Sequence, residues 1–183
     1  MGTPTLIVVS GPPGAGKTTL AHGLGARIGA PAICRDELKE GMVHAAGATP
    51  GAAEHDRLNL RTLAVFFDLL DTLVRAEIST IAEAAYQDRL WRPGLNPLLE
   101  LARVVVIRCR LDPALARLRH EARAGADPRR AAHQDAAYLS TGTAPDRATF
   151  DWPRLDVPTL DLSTDGDPSA SVEAAADFVR TTS

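Results

Sequence analysis

Gly11-Pro12-Pro13-Gly14-Ala15-Gly16-Lys17-Thr18 satisfies Gly-x-x-x-x-Gly-Lys-Thr at every position, the Walker A pattern. Each residue type has a chemical reason. The glycines let the backbone turn sharply and point successive N–H groups at one anion. The helix that opens near Gly16 adds the positive end of its dipole. Lys17 supplies a point charge for β- and γ-phosphates, and the Thr18 hydroxyl is a hard oxygen ligand suited to Mg²⁺. A plain glycine-rich turn would need none of this, nor the apolar strand before it and the amphipathic helix after it. The expected nucleotide-binding residues are Gly11, Gly14, Ala15, Gly16, Lys17, Thr18 and Thr19, with Thr18 also the expected metal ligand.

Outward from this turn the chain alternates strand and helix. Thr5–Ser10 is a continuous β-branched and apolar run, as expected of a strand buried on both faces. After the turn, Leu20, Leu24 and Ile28 recur every four residues and mark one face of a helix. Further strands are expected at Pro31–Cys34, Ile78–Ala82 (ending at Glu83), Arg103–Cys109 and Val157–Leu162. Helices are expected over about Asp36–Ala46, Ala52–Ala76 and Pro97–Ala102, and over two arginine-rich stretches, about Pro113–Ala124 and Pro128–Leu139. A closing helix carries Val172, Ala176 and Val179. Five apolar strands separated by helices imply an α/β, three-layer P-loop fold: a parallel five-stranded sheet with helices on both faces. The arginine-rich stretch at about 113–139 is expected to be a short lid on a single domain spanning 1–183. The Ser140–Asp156 loop is long for a compact domain, with Phe150 and Trp152 placed to pin it to the body.

Composition narrows the function. The chain has 183 residues, 45% hydrophobic and 23% charged, a globular balance with room for one domain. A net charge of −3 argues against holding duplex DNA or an anionic membrane by bulk charge. Cys34 and Cys109 are too few for a disulfide framework or a Cys-x-x-Cys site, so two free thiols are expected. Thr5–Val9 is too short for a signal peptide and no run reaches a membrane span, so a cytoplasmic location is expected.

With these motifs the chain resembles the small P-loop kinases of the adenylate-kinase-like class, in particular those near chloramphenicol phosphotransferase, the zeta-toxin kinases and the polynucleotide-kinase 5′-kinase domain. The P-loop is one carrier of the resemblance. Another is Asp36, which follows the second strand nineteen positions after Lys17, where those kinases place the residue that activates the acceptor hydroxyl. The segment Asp112-Pro-Ala-Leu-Ala-Arg-Leu-Arg119-His-Glu-Ala-Arg123 is similar to the lid entry of chloramphenicol phosphotransferase, and Asp165-Gly166-Asp167-Pro168 to the loop bordering the adenine. The resemblance implies that Asp165 and Gly166 flank the nucleotide. It also implies that Glu83 orients substrate or a metal-bound water, although Ile78-Ser-Thr-Ile-Ala-Glu83 departs from a full Walker B strand.

Several of these residues carry a second reading. Asp36 follows a buried strand, at the ligand edge of a parallel sheet, and is also a favoured N-cap for the next helix. Arg119 and Arg123 share one helical face and suit phosphate oxygens, yet Arg110, Arg117, Arg129 and Arg130 nearby suggest a solvated basic face. Glu83 at a strand end faces either a cleft or water. Tyr86 and Trp91 either wall an acceptor pocket or pack in the core. His133 and Asp135, two apart on a helix, do not face one another as metal ligands.

The expected activity is an ATP-dependent, Mg²⁺-requiring phosphotransferase acting on a hydroxyl of a small molecule such as an antibiotic, sugar, nucleoside or nucleotide sugar. Lys17, Asp36, Arg119 and Arg123 are the expected catalytic residues, and Asp36, Glu83 and Tyr86 the acceptor contacts. Two other readings remain: a nucleotide-dependent switch with slow hydrolysis and a protein partner, and a kinase of nucleic-acid 5′ ends, which the acidic charge disfavours.

Overall fold

The computed structural model describes residues 2–47, 51–112, 114, 115, 118 and 150–182. Its elements alternate as β1 (Thr5–Ser10), α1 (Lys17–Ile28), β2 (Ala32–Cys34), α2 (Arg35–Ala46), α3 (Ala52–Arg75), β3 (Thr80–Glu83), α4 (Asp88–Leu95), a 3₁₀ turn (Asn96–Glu100), β4 (Arg103–Arg110), β5 (Thr159–Ser163) and α5 (Pro168–Thr181). The strands form one parallel sheet in the order β2-β3-β1-β4-β5.

Strand β1 is central and every one of its residues is buried, which explains its lack of polar alternation. Its side chains point alternately to two cores. Leu6 and Val8 join Phe66, Leu70 and Val74 of α3, Trp91 and Leu95 of α4, and Val104 and Val106 of β4. Ile7 and Val9 join Leu20, Ala21 and Leu24 of α1, Val105 and Ile107 of β4, and Ala175, Ala176 and Val179 of α5. Each fully buried Leu, Ile or Val contributes about 1.5–3 kcal/mol, so the two faces together fix the sheet between two helical layers. That is the three-layer architecture anticipated above.

The departures have local causes. Strand β3 begins at Thr80 rather than Ile78, because the chain leaves α3 through Glu77 at φ 60° and the Ile78 N–H donates to the Leu73 carbonyl at 2.9 Å. Strand β5 begins at Thr159 because Pro158 has no N–H, although its carbonyl still accepts from Val106 at 2.9 Å. Helix α4 was not anticipated: it is short and contains Pro93. Its buried Trp91 and Leu95 and its Asp88–Arg92 ion pair, one turn apart, hold it in place. The helix expected at Pro97–Ala102 is instead the 3₁₀ turn following α4. Phe150 is buried, as a pin should be. Trp152 stacks edge-on against it at 4.8 Å and carries the Arg110 guanidinium at 5.0 Å. No helix among the described residues is long and apolar enough to cross a membrane.

Candidate active site

Parallel strands put the chain's turns and helix starts at one edge of the sheet, and the notable side chains gather there. Gly14 and Gly16 take φ of 82° and 72°, the left-handed region that lets the loop fold back before α1. A Cβ on Gly11 would lie 2.7 Å from the Cys109 carbonyl oxygen, so only glycine allows the loop to leave β1 this close to β4. Across the loop, the Thr164 hydroxyl is 3.0 Å from the Ala15 carbonyl and 3.1 Å from that of Arg110. Thr164 thereby ties the phosphate loop to the ends of β4 and β5.

Lys17 opens α1 and is 9% exposed; its Nζ donates to the Pro12 carbonyl at 3.1 Å. The neighbouring strand supplies its counter-charge. Register pairs Val9 of β1 with Glu83 of β3, so the Glu83 carboxylate emerges beside the loop. Glu83 Oε1 lies 3.9 Å from Lys17 Nζ, and Oε2 accepts from Thr18 Oγ1 at 3.1 Å. Glu83 is 3% exposed. Burial raises its pKa above the usual carboxylate range; Lys17 pulls it down, Asp36 pushes it up, and hydrogen bonds from Thr18 and Cys34 lower it. A hydroxyl and a buried carboxylate, oxygen donors of the kind Mg²⁺ takes, thus converge with an ammonium at the helix start.

One strand further out, β2 runs directly into α2. The residue preceding that helix is Cys34, not Asp36, which lies in the first helical turn with its side chain 48% exposed. The N-cap reading of Asp36 is therefore not met: no side chain caps this helix. Arg35 Nη1 donates to Asp36 Oδ1 at 3.1 Å, and Arg35 Nη2 donates to Asn59 Oδ1 of α3 at 3.0 Å. Deeper between α2 and α3, the Lys39 ammonium is 3.1 Å from His55 Nε2, and both residues are buried.

The other expected residues are placed as follows. Thr19 is exposed on α1. Asp165 accepts from the Asp112 N–H at 3.1 Å and from the Ser163 hydroxyl at 2.7 Å, and a Cβ on Gly166 would meet open space. Tyr86 is a correction to the acceptor-pocket reading. Its ring is fully buried, with centroids 4.6 Å from Trp91 and 6.2 Å from Phe66, so it packs the α3–α4 core instead of walling a pocket. Cys34 and Cys109 are both buried free thiols. Arg119, Arg123, Arg129, Arg130, His133 and Asp135 lie outside the described residues.

Sequence reasoning missed Thr164, Arg35 with Asn59, and Lys39 with His55. The contact between Glu83 and Thr18 spans 65 positions of chain and depends on β3 lying next to β1, which spacing alone does not reveal.

The fold and its loop are shared with known proteins. A candidate kinase from Chloroflexus aurantiacus superposes with a TM-score of 0.83 over 100% of both chains at 23% identity. A sugar kinase from Janibacter sp. HTCC2649 has a TM-score of 0.65, covering 98% of this chain and 95% of its own at 22% identity. An APS kinase from Mycobacterium tuberculosis, in complex with AMPPNP and APS, has a TM-score of 0.65 over 98% and 99% at 15% identity. At these identities the likeness establishes a P-loop kinase-like fold. No curated protein sequence matches the chain. The family described as AAA domain matches residues 6–141, from β1 through the phosphate loop and β4. With its glycine-bent loop, Lys17 and Thr18 at the centre of that match, the chain belongs to the AAA domain family.

Proposed function

We propose that this protein is a kinase that moves the γ-phosphoryl group of ATP to a hydroxyl of a small-molecule acceptor. The observation that carries the reading is the convergence of Lys17, Thr18 and Glu83 at one loop, with Asp36 nearby in the first turn of α2. Similarity to structures that include a sugar kinase and an APS kinase supports it. So does the resemblance of the sequence to the chloramphenicol phosphotransferase and zeta-toxin group.

In this reading the loop amides and Lys17 hold the β- and γ-phosphates. Thr18, oriented by Glu83, holds Mg²⁺, which when bound neutralises developing phosphate charge. Glu83 stays buried and acceptor-free, on the metal side of the site. Asp36, half-exposed at the start of α2, faces the acceptor. As the acceptor oxygen bonds to the γ-phosphorus, the bond to the β–γ bridging oxygen breaks, ADP leaves, and the hydroxyl proton passes to the Asp36 carboxylate. Arg35 holds that carboxylate in place. Arg119 and Arg123 supply positive charge to the transferred group from the lid, and Asp165 and Gly166 border the base.

The test is a screen of hydroxyl-compound pools (aminoglycosides, phenicols, sugars, nucleosides, nucleotide sugars) for acceptor-dependent ADP formation with Mg²⁺ and ATP. A pool that raises turnover well above the acceptor-free rate, with phosphate recovered on the acceptor, supports the reading. ATP hydrolysis indifferent to every pool would favour a nucleotide-dependent switch.

A further inference from the structure

Behind the phosphate loop, on the α1 side of β2, three donors of different elements meet. His22 projects from the middle of α1, Cys34 ends β2, and Glu37 sits in the first turn of α2. His22 Nε2 is 2.7 Å from Glu37 Oε1 and 3.7 Å from Cys34 Sγ, and the three donor atoms lie within 4.8 Å of one another. An imidazole, a thiol and a carboxylate form the donor set that Zn²⁺ and its neighbours favour.

The spacing can be tested against coordination geometry. With Zn–S of about 2.3 Å and Zn–N or Zn–O of about 2.0–2.1 Å, tetrahedral ligands stand roughly 3.6 Å apart for N···S and roughly 3.3 Å for N···O. The His22–Cys34 separation already matches. The His22–Glu37 separation must open by roughly 0.6 Å on this geometry. Both of those side chains are about half exposed, at 51% and 47%, so they can move. Cys34 is 2% exposed and fixed by the sheet, and forms the floor. The exposed rim leaves an entry path and a fourth position for water.

We propose that His22, Cys34 and Glu37 form a site for one thiophilic divalent cation of the Zn²⁺ type, whose occupancy slows phosphoryl transfer. The link to transfer is Glu83. Cys34 pairs with Glu83 across β2 and β3, so a cation on its sulfur stands one strand away from that buried carboxylate. Metal binding releases the Cys34 proton to solvent and turns the sulfur into a metal-bound thiolate. The added positive charge then sits beside the carboxylate that positions Thr18. The binding half of the proposal is independent of the kinase reading; the effect on turnover rests on it.

The experiment titrates the free, nucleotide-free protein with Co²⁺ and then with Zn²⁺ as competitor. The readout is the near-ultraviolet thiolate-to-cobalt charge-transfer band. One equivalent should develop the band and Zn²⁺ should bleach it. His22→Ala, on the exposed face of α1, should keep its melting temperature and lose at least ~10-fold in affinity, which even outer-shell changes can cost a metal site. Cys34→Ser should lose the band, whereas Cys109→Ser should retain it. A parent protein without the band, or a band that survives Cys34→Ser, overturns the site. If the band forms as described, Zn²⁺ at one equivalent in excess Mg²⁺·ATP should lower turnover of the parent and not of His22→Ala. Equal inhibition of both would overturn the coupling. Because the band needs no substrate, its outcome stands even if no acceptor is found.

Discussion

Replacing Glu83 by Gln separates stability from function at the carboxylate the phosphate loop leans on. Glu83 is buried against Thr18 and Lys17, and burial raises its folded pKa. An acid whose folded pKa exceeds its unfolded one stabilises the fold in its protonated form. That contribution is complete below the unfolded value, ~4.3 for Glu, and is lost as pH rises through the folded value. As pH rises through the folded value the parent takes on the cost of an ionised carboxylate kept from water. Gln has the same shape, and its Oε1 still accepts from Thr18. The variant should be more stable than the parent at pH 7 by about 1 kcal/mol, the scale of relief when a functional site is neutralised. For a domain of this size that is a rise in Tm of about 2–4 °C. The gain should shrink towards zero below about pH 4, where the parent is protonated too. Turnover should fall ~10²–10³-fold, as when one preorganised electrostatic partner is removed. Calorimetric melts at pH 7 and pH 4, with ADP-release kinetics on the same samples, measure all three. A variant that melts below the parent at pH 7, by an amount unchanged at pH 4, would refute the assignment of Glu83 as a buried, costly charge.

Lys17→Ala should weaken ATP binding ~10–100-fold, the loss of one charge-assisted contact, and abolish transfer; nucleotide titration by calorimetry checks it. Asp36→Asn should leave ATP affinity nearly unchanged while acceptor-dependent turnover falls ~10²–10⁴-fold, the usual contribution of a general base; intact turnover would move the search for that base elsewhere. Thr164→Val removes the hydroxyl shared by the Ala15 and Arg110 carbonyls and should cost about 1 kcal/mol in urea unfolding, with a raised KM for ATP as the loop loosens. Phe66→Ala, at the centre of the Phe67, Tyr86 and Trp91 rings, should cost about 3–5 kcal/mol and lower Tm by on the order of 10 °C.

Where one segment carries its own physics, the sequence was readable. The loop is legible because Gly14, Gly16, Lys17 and Thr18 must stand in that order for amides and charge to face one anion. Strand β1 is legible because a fully buried parallel strand has no polar alternation to hide it. The legibility fails where neighbours decide. Thr18 and Glu83 meet through strand order, Lys39 and His55 through the packing of α2 on α3, and neither pairing leaves a mark in local spacing. Helix α4 escaped because it is short and holds Pro93 within it, while the buried Trp91 and Leu95 that stabilise it count only once α3 is beside them. Tyr86 stayed open between pocket and core for the same reason, since an aromatic after a strand end lines a pocket or fills a core depending on what packs over it. Asp36 was placed at the correct edge of the sheet, with its exact helical position off by two residues because nothing local says that Cys34 precedes the helix.

The contact of Arg110 with Trp152 bears on how this architecture can vary. The chain leaves the sheet at the end of β4 and comes back beside it: Arg108 Nη2 donates to the Pro153 carbonyl at 2.7 Å, Arg110 covers the Trp152 ring, and Phe150 is already buried. Exit and return are clamped together by the frame, independently of what is spliced between them. Closing a longer flexible excursion costs only about 0.6 kcal/mol for each doubling of its length. The chain between these two clamped ends is thus a replaceable cassette: its length and sequence can be rewritten while the sheet, the loop and Glu83 stay as they are.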